Sequence, residues 1–441
     1  MPLLGELLKD KDACVRVAAG QLAKFGLEGD ASAVAVYVPG RVEFLGKHTD
    51  YAGGRSLLLA VDRGFRLLAV PRQDNRIRVW ATPNNETREF VLGETPHFQP
   101  GHWVNYVATV ASRMHQNFDK VARLRGADIA LVSDLPIAAG MSSSSALMVA
   151  VFLGLSAING LDTTEPYRKE IHSTLQLAEY LGCVENGQSF GSLAGRKGVG
   201  TFGGSEDHTS MLCCKPGMLS QFSFAPAAFE RDIPWPPEQA LVIGCCGVEA
   251  VKTGAAMADY NRASLRARQA AAAYNAAAKS DCRRLRDVAV QVGPTGLAKA
   301  MEAIARGTGP EDKDQDLPGR FEQFFHEDQE IIPQVGDALA GGKVEVIGPL
   351  VDASHEWARR GLQNQIDQTN FLQASARRLG AAAASAFGAG FGGSVWAMAP
   401  RRSAQDFAAA WKKEYLAKFP SQAGQADIFV TFPGRAAEVR R

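Results

Sequence analysis

The most informative part of this chain is a serine-rich segment, Leu135-Pro136-Ile137-Ala138-Ala139-Gly140-Met141-Ser142-Ser143-Ser144-Ser145-Ala146. An apolar run that favours a strand, 129–132, precedes it, and a run of helix-forming residues, 146–155, follows it. A strand that turns through small residues into a helix directs several backbone N–H groups, and the positive end of the helix dipole, at one point. Such a turn can bind phosphate, and the four serines add hydroxyls for phosphate oxygens or a metal ion. The alternative interpretation is a serine-rich helix cap that binds no ligand.

The composition of the 441 residues is that of a globular protein with more than one domain. Hydrophobic residues make up 46% and charged residues 22%, and the net charge of +1 provides no field that would recruit nucleic acid. The first ten residues carry charges where a signal peptide needs an apolar core, and no apolar run approaches the ~20 residues of a membrane helix. Seven cysteines, with two adjacent pairs, fit neither a disulfide framework nor zinc spacing. We therefore expect a cytoplasmic protein with reduced thiols and no membrane partner.

The order of the predicted elements indicates an α+β fold with two domains. Predicted strands at 33–38, 127–132 and 394–398, and a further strand near Met211, mix with helices without a regular β-α-β alternation. Prolines at 226, 234, 236 and 237 mark a change in composition. We accordingly predict an N-terminal domain over 1–232 and a C-terminal domain over 233–441.

A second segment, Pro39-Gly40-Arg41-Val42-Glu43-Phe44-Leu45-Gly46-Lys47-His48-Thr49-Asp50-Tyr51-Ala52-Gly53-Gly54, concentrates hydrogen-bonding side chains between two apolar strands. Such a connection suits recognition of a polyol. The segment is not a nucleotide-binding P-loop, because five residues separate its first two glycines and His48 replaces the required Ser or Thr. A polar β-turn is the alternative interpretation.

A third segment, Gly388-Ala389-Gly390-Phe391-Gly392-Gly393, formally contains the dinucleotide-binding pattern G-x-G-x-x-G. That pattern requires a helix after the glycines, whereas the predicted strand 394–398 follows here. We therefore expect these glycines to let the backbone approach a ligand or another loop closely.

Taken together, the three segments resemble the GHMP kinase superfamily and, within it, the galactokinase branch. The stretch Pro136–Ser144 is similar to the phosphate loop Pro-x-x-x-Gly-Leu-Ser-Ser-Ser, and the second segment resembles the signature Gly-Arg-Val-Asn-x-x-Gly-Glu-His-Thr-Asp-Tyr. Minor landmarks at Trp103–Tyr106 and Tyr260–Arg262 follow in the family's order. The resemblance implies an N-terminal α+β domain, a C-terminal ferredoxin-like α+β domain, and an active site between them.

The same resemblance implies an ATP-dependent sugar 1-kinase that phosphorylates the anomeric hydroxyl of galactose or a related sugar. Its implied partners are a small-molecule sugar, ATP and Mg²⁺, with the protein a monomer or weak dimer. The stretch Gly203–His208 is similar to the family's Cys-Gly-x-x-Asp-Gln, which makes Asp207 the candidate base. Arg41 would stabilise the charge on the transferred group. The implied sets are, for the sugar, Arg41, Lys47, His48, Asp50, Gly204 and Tyr260; for ATP, Gly140, Ser142, Ser143, Ser144 and Ser145; and for the metal, Ser143 with Glu185, or with Glu179 as the alternative acid.

Two positions depart from the family pattern. Lys47 stands where galactokinases carry a glutamate, and Glu43 stands where they usually have asparagine. The substrate would then be a uronic acid whose carboxylate meets Lys47, or a sugar that lacks the hydroxyl on carbon six, or else Lys47 turns away to pair with an acid such as Glu43. A protein that binds ATP and sugar as a regulator without catalysis is a further alternative.

Overall fold

A computed structural model describes residues 1–82, 84–94, 99, 101–136, 140–248 and 255–441, with the backbone alone at 255–257. The strands are β1 (Val34–Leu45), β2 (Arg55–Pro71), β3 (Arg76–Ala81), β4 (Glu86–Val91), β5 (Ala127–Ser133), β6 (Met218–Ser223), β7 (Ala228–Pro234), β8 (Gln239–Cys245), β9 (Ala383–Phe387), β10 (Ser394–Pro400), β11 (Asp427–Thr431) and β12 (Glu438–Arg440). The helices are α1 (Leu4–Leu7), α2 (Ala13–Lys24), α3 (Val104–Ala122), α4 (Ser143–Asn159), α5 (Glu165–Glu170), α6 (Thr174–Asn186), α7 (Glu206–Cys213), α8 (Ala255–Ala278), α9 (Leu285–Val292), α10 (Leu297–Gly307), α11 (Leu317–Phe325), α12 (Ile332–Ala340), α13 (Ile347–Trp357), α14 (Asp367–Arg378) and α15 (Ala404–Lys418). The mixture of helices and sheets confirms the predicted α+β class.

The larger sheet forms the N-terminal part of the molecule, in the order β12-β1-β2-β5-β3-β4, and the β6–β7 hairpin extends it from β2. The central strands β1, β2 and β5 bury both faces, so apolar side chains alternate between two cores. Val34, Val36 and Val38 of β1 face the main core, where α3, α4 and α6 pack, whereas Ala35 faces α2. The sheet therefore lies between helices, and one end of it carries the serine segment at the start of α4.

The smaller sheet is antiparallel, in the order β11-β8-β10-β9. Helices α14 and α15 cover one of its faces, with Trp411 and Tyr415 fully buried there. Its other face joins the main core through Trp396, whose ring stacks on Phe44 of β1 at 3.9 Å between centroids and whose Nε1 donates to the Phe44 carbonyl at 3.1 Å. The two sheets thus share one continuous apolar core.

The chain crosses between the sheets more than once. Residue 232 lies inside β7, so the larger sheet continues to Pro234 before β8 begins the smaller one. After β11 the chain returns, and β12 pairs with β1. The C-terminal residues therefore belong structurally to the N-terminal sheet.

Two predicted elements are wrong. The strand expected to end at Pro39-Gly40 continues through Leu45, because bulges between Pro39 and Arg41 and between Glu43 and Leu45 absorb the irregular residues without ending the pairing with β2. The strand expected near Met211 is helix α7, which begins with two acidic residues that favour a helix N-terminus. Among the described residues, no helix is both long and apolar enough to cross a membrane.

Candidate active site

A polar cavity lies where β1, α6, α7 and the glycine cluster before β10 meet. Its lining contains most of the residues that the sequence singled out, together with several acids. The lining residues are Arg41, Glu43, His48, Asp50, Tyr51, Glu185, Asn186, Gly203, Gly204, Glu206, Asp207, His208, Tyr260, Gly388 and Ala389. Elements from both halves of the chain therefore build one site.

The centre of the cavity is an ion pair between Arg41 and Asp207. Arg41 Nε donates to Asp207 Oδ1 at 2.7 Å, and Arg41 Nη1 donates to the carbonyl of Gly140 at 2.5 Å. Burial alone lowers the pKa of Arg41, but Asp207, Glu206 and Glu43 more than offset that effect, so its pKa is raised. Because Arg41 is 2% exposed and fully charged, its guanidinium is held rigidly between the acid and the serine segment.

The serine segment starts α4 as predicted, although residues 137–139 of it lie outside the described residues. Gly140 and Ser142 have left-handed backbone angles, with φ of +70° and +54°. Ser142 Oγ donates to Asp207 Oδ2 at 2.5 Å, and Ser145 is fully buried. Ser143 and Ser144 are half-buried in the first turn of α4, where N–H groups lack helical partners. This turn has the geometry of an anion site.

Of the two glutamates considered for the metal, Glu185 lies at this cavity. Its Oε2 accepts from Ser145 Oγ at 2.8 Å. His208 Nε2 is 3.3 Å from the same oxygen. Glu179 lies elsewhere: it lines a neighbouring chamber of about 640 Å³ and accepts from the backbone N of Ala227. A carboxylate and a hydroxyl are hard oxygen donors that fit Mg²⁺, which takes only one or two ligands from protein when it also binds phosphates.

The second segment holds its polar residues through tertiary contacts. His48 Nδ1 pairs with the hydroxyl of Tyr51 at 2.7 Å, and His48 Nε2 is 3.0 Å from the carbonyl of Ala389. Arg320 of α11 donates to the carbonyl of His48 at 2.7 Å. A Cβ on Gly204 would lie 2.3 Å from Asp50 Oδ2, so only glycine fits against this acid. His48, Asp50, Gly204 and Tyr260 are thereby brought together at one cavity.

Lys47 lies outside the lining of the cavity. Its ammonium group donates to Ser354 Oγ at 2.9 Å and is 4.0 Å from Glu327 Oε1. The side chain is 1% exposed. The prediction that Lys47 contacts the sugar requires the opposite orientation, and its buried partners explain why it turns away.

Glu43 and Glu206 line the cavity, and sequence reasoning did not assign them to the site. Strand alternation places Glu43 on the same face as Arg41, but the predicted end of β1 at Pro39-Gly40 concealed this signal. Glu206 is the neighbour of Asp207 and accepts from Ser56 Oγ at 2.9 Å. Burial raises the pKa of both carboxyl groups.

The glycine cluster lies between β9 and β10 and closes the site. A strand therefore follows the glycines, as predicted, and not the helix that a dinucleotide-binding pattern requires. Gly388 has φ of +78°, and a Cβ there would lie 2.8 Å from the carbonyl of Gly140. The cluster thus packs directly on the serine segment, which confirms the expected close approach of two loops.

Comparison with known proteins agrees with this architecture. Residues 105–188 match the GHMP kinases N terminal domain, and residues 23–71 match the galactokinase galactose-binding signature. The chain is therefore similar to the GHMP kinase superfamily over these two stretches. This kinase is 25% identical over 404 residues to the galactokinase of Pyrococcus furiosus, across 91% of this chain and 98% of the relative. It is 28% identical over 382 residues to the galactokinase of a Roseiflexus species, across 85% of each.

Solved structures show the same fold. The Lactococcus lactis galactokinase complexed with galactose superposes with a TM-score of 0.76 at 21% identity, covering 95% of this kinase and 99% of that chain. The Methanococcus jannaschii mevalonate kinase gives a TM-score of 0.54 at 16% identity, covering 92% of this chain and all of the other. The α+β, GHMP kinase-like fold predicted from the sequence is confirmed.

Proposed function

We propose that this protein is an ATP-dependent galactokinase, which transfers the γ-phosphoryl group of ATP to the anomeric hydroxyl of galactose. The observation that carries the proposal is the Arg41–Asp207 pair, which joins the sugar cavity to the first turn of α4. The galactose-binding signature over residues 23–71 and the full-length similarity to galactokinases support the choice of sugar.

ATP would bind with its phosphates at the first turn of α4. The half-buried hydroxyls of Ser143 and Ser144, and the free N–H groups beside them, offer donors to phosphate oxygens. Gly140 would allow the backbone to approach the phosphates. Ser142 would support this turn from behind, because its hydroxyl donates to the carboxylate of Asp207.

Mg²⁺ would be held by Glu185 with a serine of the same turn, and Ser145 is the serine that the geometry favours. When bound, the ion would neutralise charge on the ATP phosphates. His208, whose Nε2 lies 3.3 Å from Glu185 Oε2, would help to orient that carboxylate.

Phosphoryl transfer depends on alignment and charge more than on covalent help from the protein. The anomeric hydroxyl would lie against Asp207, which accepts its proton as the phosphoryl group leaves ATP. Arg41 fixes the orientation of that carboxylate through the 2.7 Å contact and supplies positive charge beside the transferred group. His48, Asp50, Tyr260 and the backbone of Gly204 would hold the remaining hydroxyls of the sugar.

The alternatives from the sequence receive less support. Galacturonate needs a cation in the cavity at position 47, and the Lys47 ammonium lies instead against Ser354. A regulator that binds ATP and sugar without catalysis does not need an acid paired with an arginine beside the first turn of α4, whereas both are present here. Galactose kinase activity is therefore the function that the geometry supports best.

The test uses purified protein with ATP, Mg²⁺ and a panel of galactose, galacturonate, glucose and N-acetylgalactosamine. We expect ADP release with galactose, and ³¹P NMR should place the phosphate on the anomeric oxygen. Asp207→Asn should lower turnover by about 10²-fold or more while galactose affinity changes little. Binding of ATP and galactose without turnover would favour the regulator, and a preference for galacturonate would restore a role for Lys47.

A further inference from the structure

Glu43 occupies a position in the cavity that the proposed mechanism leaves unused. It lies on β1 two residues beyond Arg41, with regular pairing to β2 between them. Alternate strand residues point to the same face about 7 Å apart. Glu43 therefore lies on the same face of β1 as Arg41 and lines the same cavity.

One oxygen of the Glu43 carboxyl group lacks a hydrogen-bond partner among the described residues. The side chain is 3% exposed, and its Oε1 is buried without a hydrogen bond to any described residue. A buried acceptor left unsatisfied costs about 1–3 kcal/mol, and more when it is charged. Native structures rarely retain such a group unless a ligand or water supplies the missing donor.

The cations near Glu43 are bound to other groups, so its carboxyl group can accept a hydrogen bond from a neutral donor. Burial raises the pKa of its carboxyl group to about 7, against the attraction of Lys47 and Arg41. Those two cations are already engaged, Arg41 with Asp207 and Lys47 with Ser354, so neither forms an ion pair with Glu43. Glu206, the other unassigned acid of the lining, already accepts from Ser56.

We propose that Glu43 is a specificity-determining residue whose carboxyl group binds a hydroxyl of the sugar other than the anomeric one. The inference rests on the proposed sugar kinase function and adds to it a sugar contact at a position outside the set expected from the sequence. A sugar hydroxyl supplies the donor that Oε1 lacks, and each carboxylate oxygen can accept one. Lys47, four residues along, then acts as the structural cation behind this contact.

The experiment measures galactose binding by calorimetry without ATP, and turnover separately, for wild type, Glu43→Ala and Glu43→Gln. The ligands are galactose and its monodeoxy analogues at carbons two, three, four and six. We expect Glu43→Ala to weaken galactose binding by about 10- to 100-fold, the scale of one hydrogen bond to a charged group. For one analogue, the one that lacks the contacted hydroxyl, wild type and Glu43→Ala should bind equally well. Glu43→Gln keeps one acceptor and the shape of the side chain. Its affinity for galactose should therefore lie between those of wild type and Glu43→Ala.

Asp128→Asn is the matched control, since Asp128 is a buried acid of the same sheet that pairs with Arg72 and Arg78 outside the cavity. It should alter stability but leave galactose binding unchanged. The proposed role of Glu43 would be overturned if Glu43→Ala bound every analogue more weakly than wild type by the same factor, or if it bound galactose as tightly as wild type. Selective binding without turnover would overturn the kinase function and keep this contact, whereas a wild type that neither binds nor phosphorylates these sugars would overturn both.

Discussion

Lys47 Nζ donates a hydrogen bond to Ser354 Oγ at 2.9 Å, across the junction between the larger sheet and helix α13. Beside it, Glu327 accepts from the backbone N of Gly46 at 2.8 Å. Both charged side chains are at most 1% exposed. The loop that follows β1 is therefore fixed to the C-terminal helices by a buried cation and a buried anion, and Lys47 serves the interface.

We predict that Lys47→Met lowers the free energy of unfolding by about 3 kcal/mol, because it leaves the Glu327 carboxylate buried without a compensating cation. Urea denaturation followed by circular dichroism measures this change. The preference for galactose over galacturonate should not reverse.

Lys343→Met is the control, since Lys343 is exposed, and its effect should stay within about 0.5 kcal/mol. The double variant Lys47→Met/Glu327→Gln should be more stable than the additive sum of the single variants. A Lys47→Met protein of unchanged stability but altered sugar preference would place the lysine in the cavity after all.

His355, next to Ser354 on α13, should make the stability of the kinase sensitive to acid. Its Nδ1 accepts from the backbone N of Ala386, and its Nε2 donates to Asn370 Oδ1 at 3.0 Å, so the neutral ring satisfies both contacts. Burial, with Lys47 nearby, lowers the pKa of His355 to about 4, from the ordinary 6.5. The unfolded chain therefore binds the extra proton first, and the stabilisation from His355 is lost as pH falls from about 6.5 to 4.

The measurement compares wild type with His355→Gln between pH 7 and pH 4.5. The difference in their free energies of unfolding should shrink as the pH falls, by up to roughly 3 kcal/mol over the full interval between the two pKa values. Because Glu43 titrates in the same range with the opposite sign, only this difference isolates the histidine. His172→Gln, at an exposed site, should give a difference that does not vary with pH. A constant difference for His355→Gln as well would contradict the assignment.

Replacement of the two candidate metal acids should separate them. Glu185→Gln should raise the Mg²⁺ concentration needed for half-maximal activity by about tenfold or more, since one of the few protein ligands loses its charge. Glu179→Gln, whose carboxyl group instead holds the backbone of Ala227, should leave that concentration unchanged. Activity measured against Mg²⁺ at saturating ATP decides the matter, and equal Mg²⁺ dependence in both variants would remove Glu185 from the site.

Gly140→Ala should raise the KM for ATP by about tenfold or more. A side chain at φ of +70° strains the turn, and its Cβ would lie 3.3 Å from the carbonyl of Phe387 in the strand before the glycine cluster. Gly217→Ala is the matched control, because Gly217 has φ of +72° but open space around it. It should cost similar stability and leave the KM for ATP unchanged, so a similar rise in both variants would mean that strain alone, and not the phosphate site, is responsible.

The serine segment and the glycine cluster, whose roles depend on backbone conformation, could be predicted from the sequence. The serine segment begins helix α4, as predicted, and the glycine cluster lies between β9 and β10. Runs of small residues are a local signal because they allow left-handed backbone angles and close approach of the backbone. Asp207 was identified through its neighbours Gly203–His208, and it does meet Arg41. These features depend on local order along the chain.

Side-chain direction could not be predicted in the same way. Lys47 and Glu43 are four residues apart. Which of them faces the cavity depends on bulges in β1 and on two partners of Lys47, Glu327 and Ser354, that lie at least 280 residues away in sequence. The hydrogen bond from Ser145 to Glu185 likewise follows from where α6 places Glu185. Such orientations are set by tertiary packing, which a single sequence does not encode locally.

The pairing of β12 with β1 has a consequence for the stability of fragments of this protein. Because residues 438–440 pair with β1, the last strand of the molecule completes the sheet that the first strand begins. A fragment that stops at the proline-rich stretch after β7 would expose an unpaired strand edge and one face of the shared core around Phe44. We therefore expect the larger and the smaller sheet to unfold as one cooperative unit and to be unstable as separate fragments.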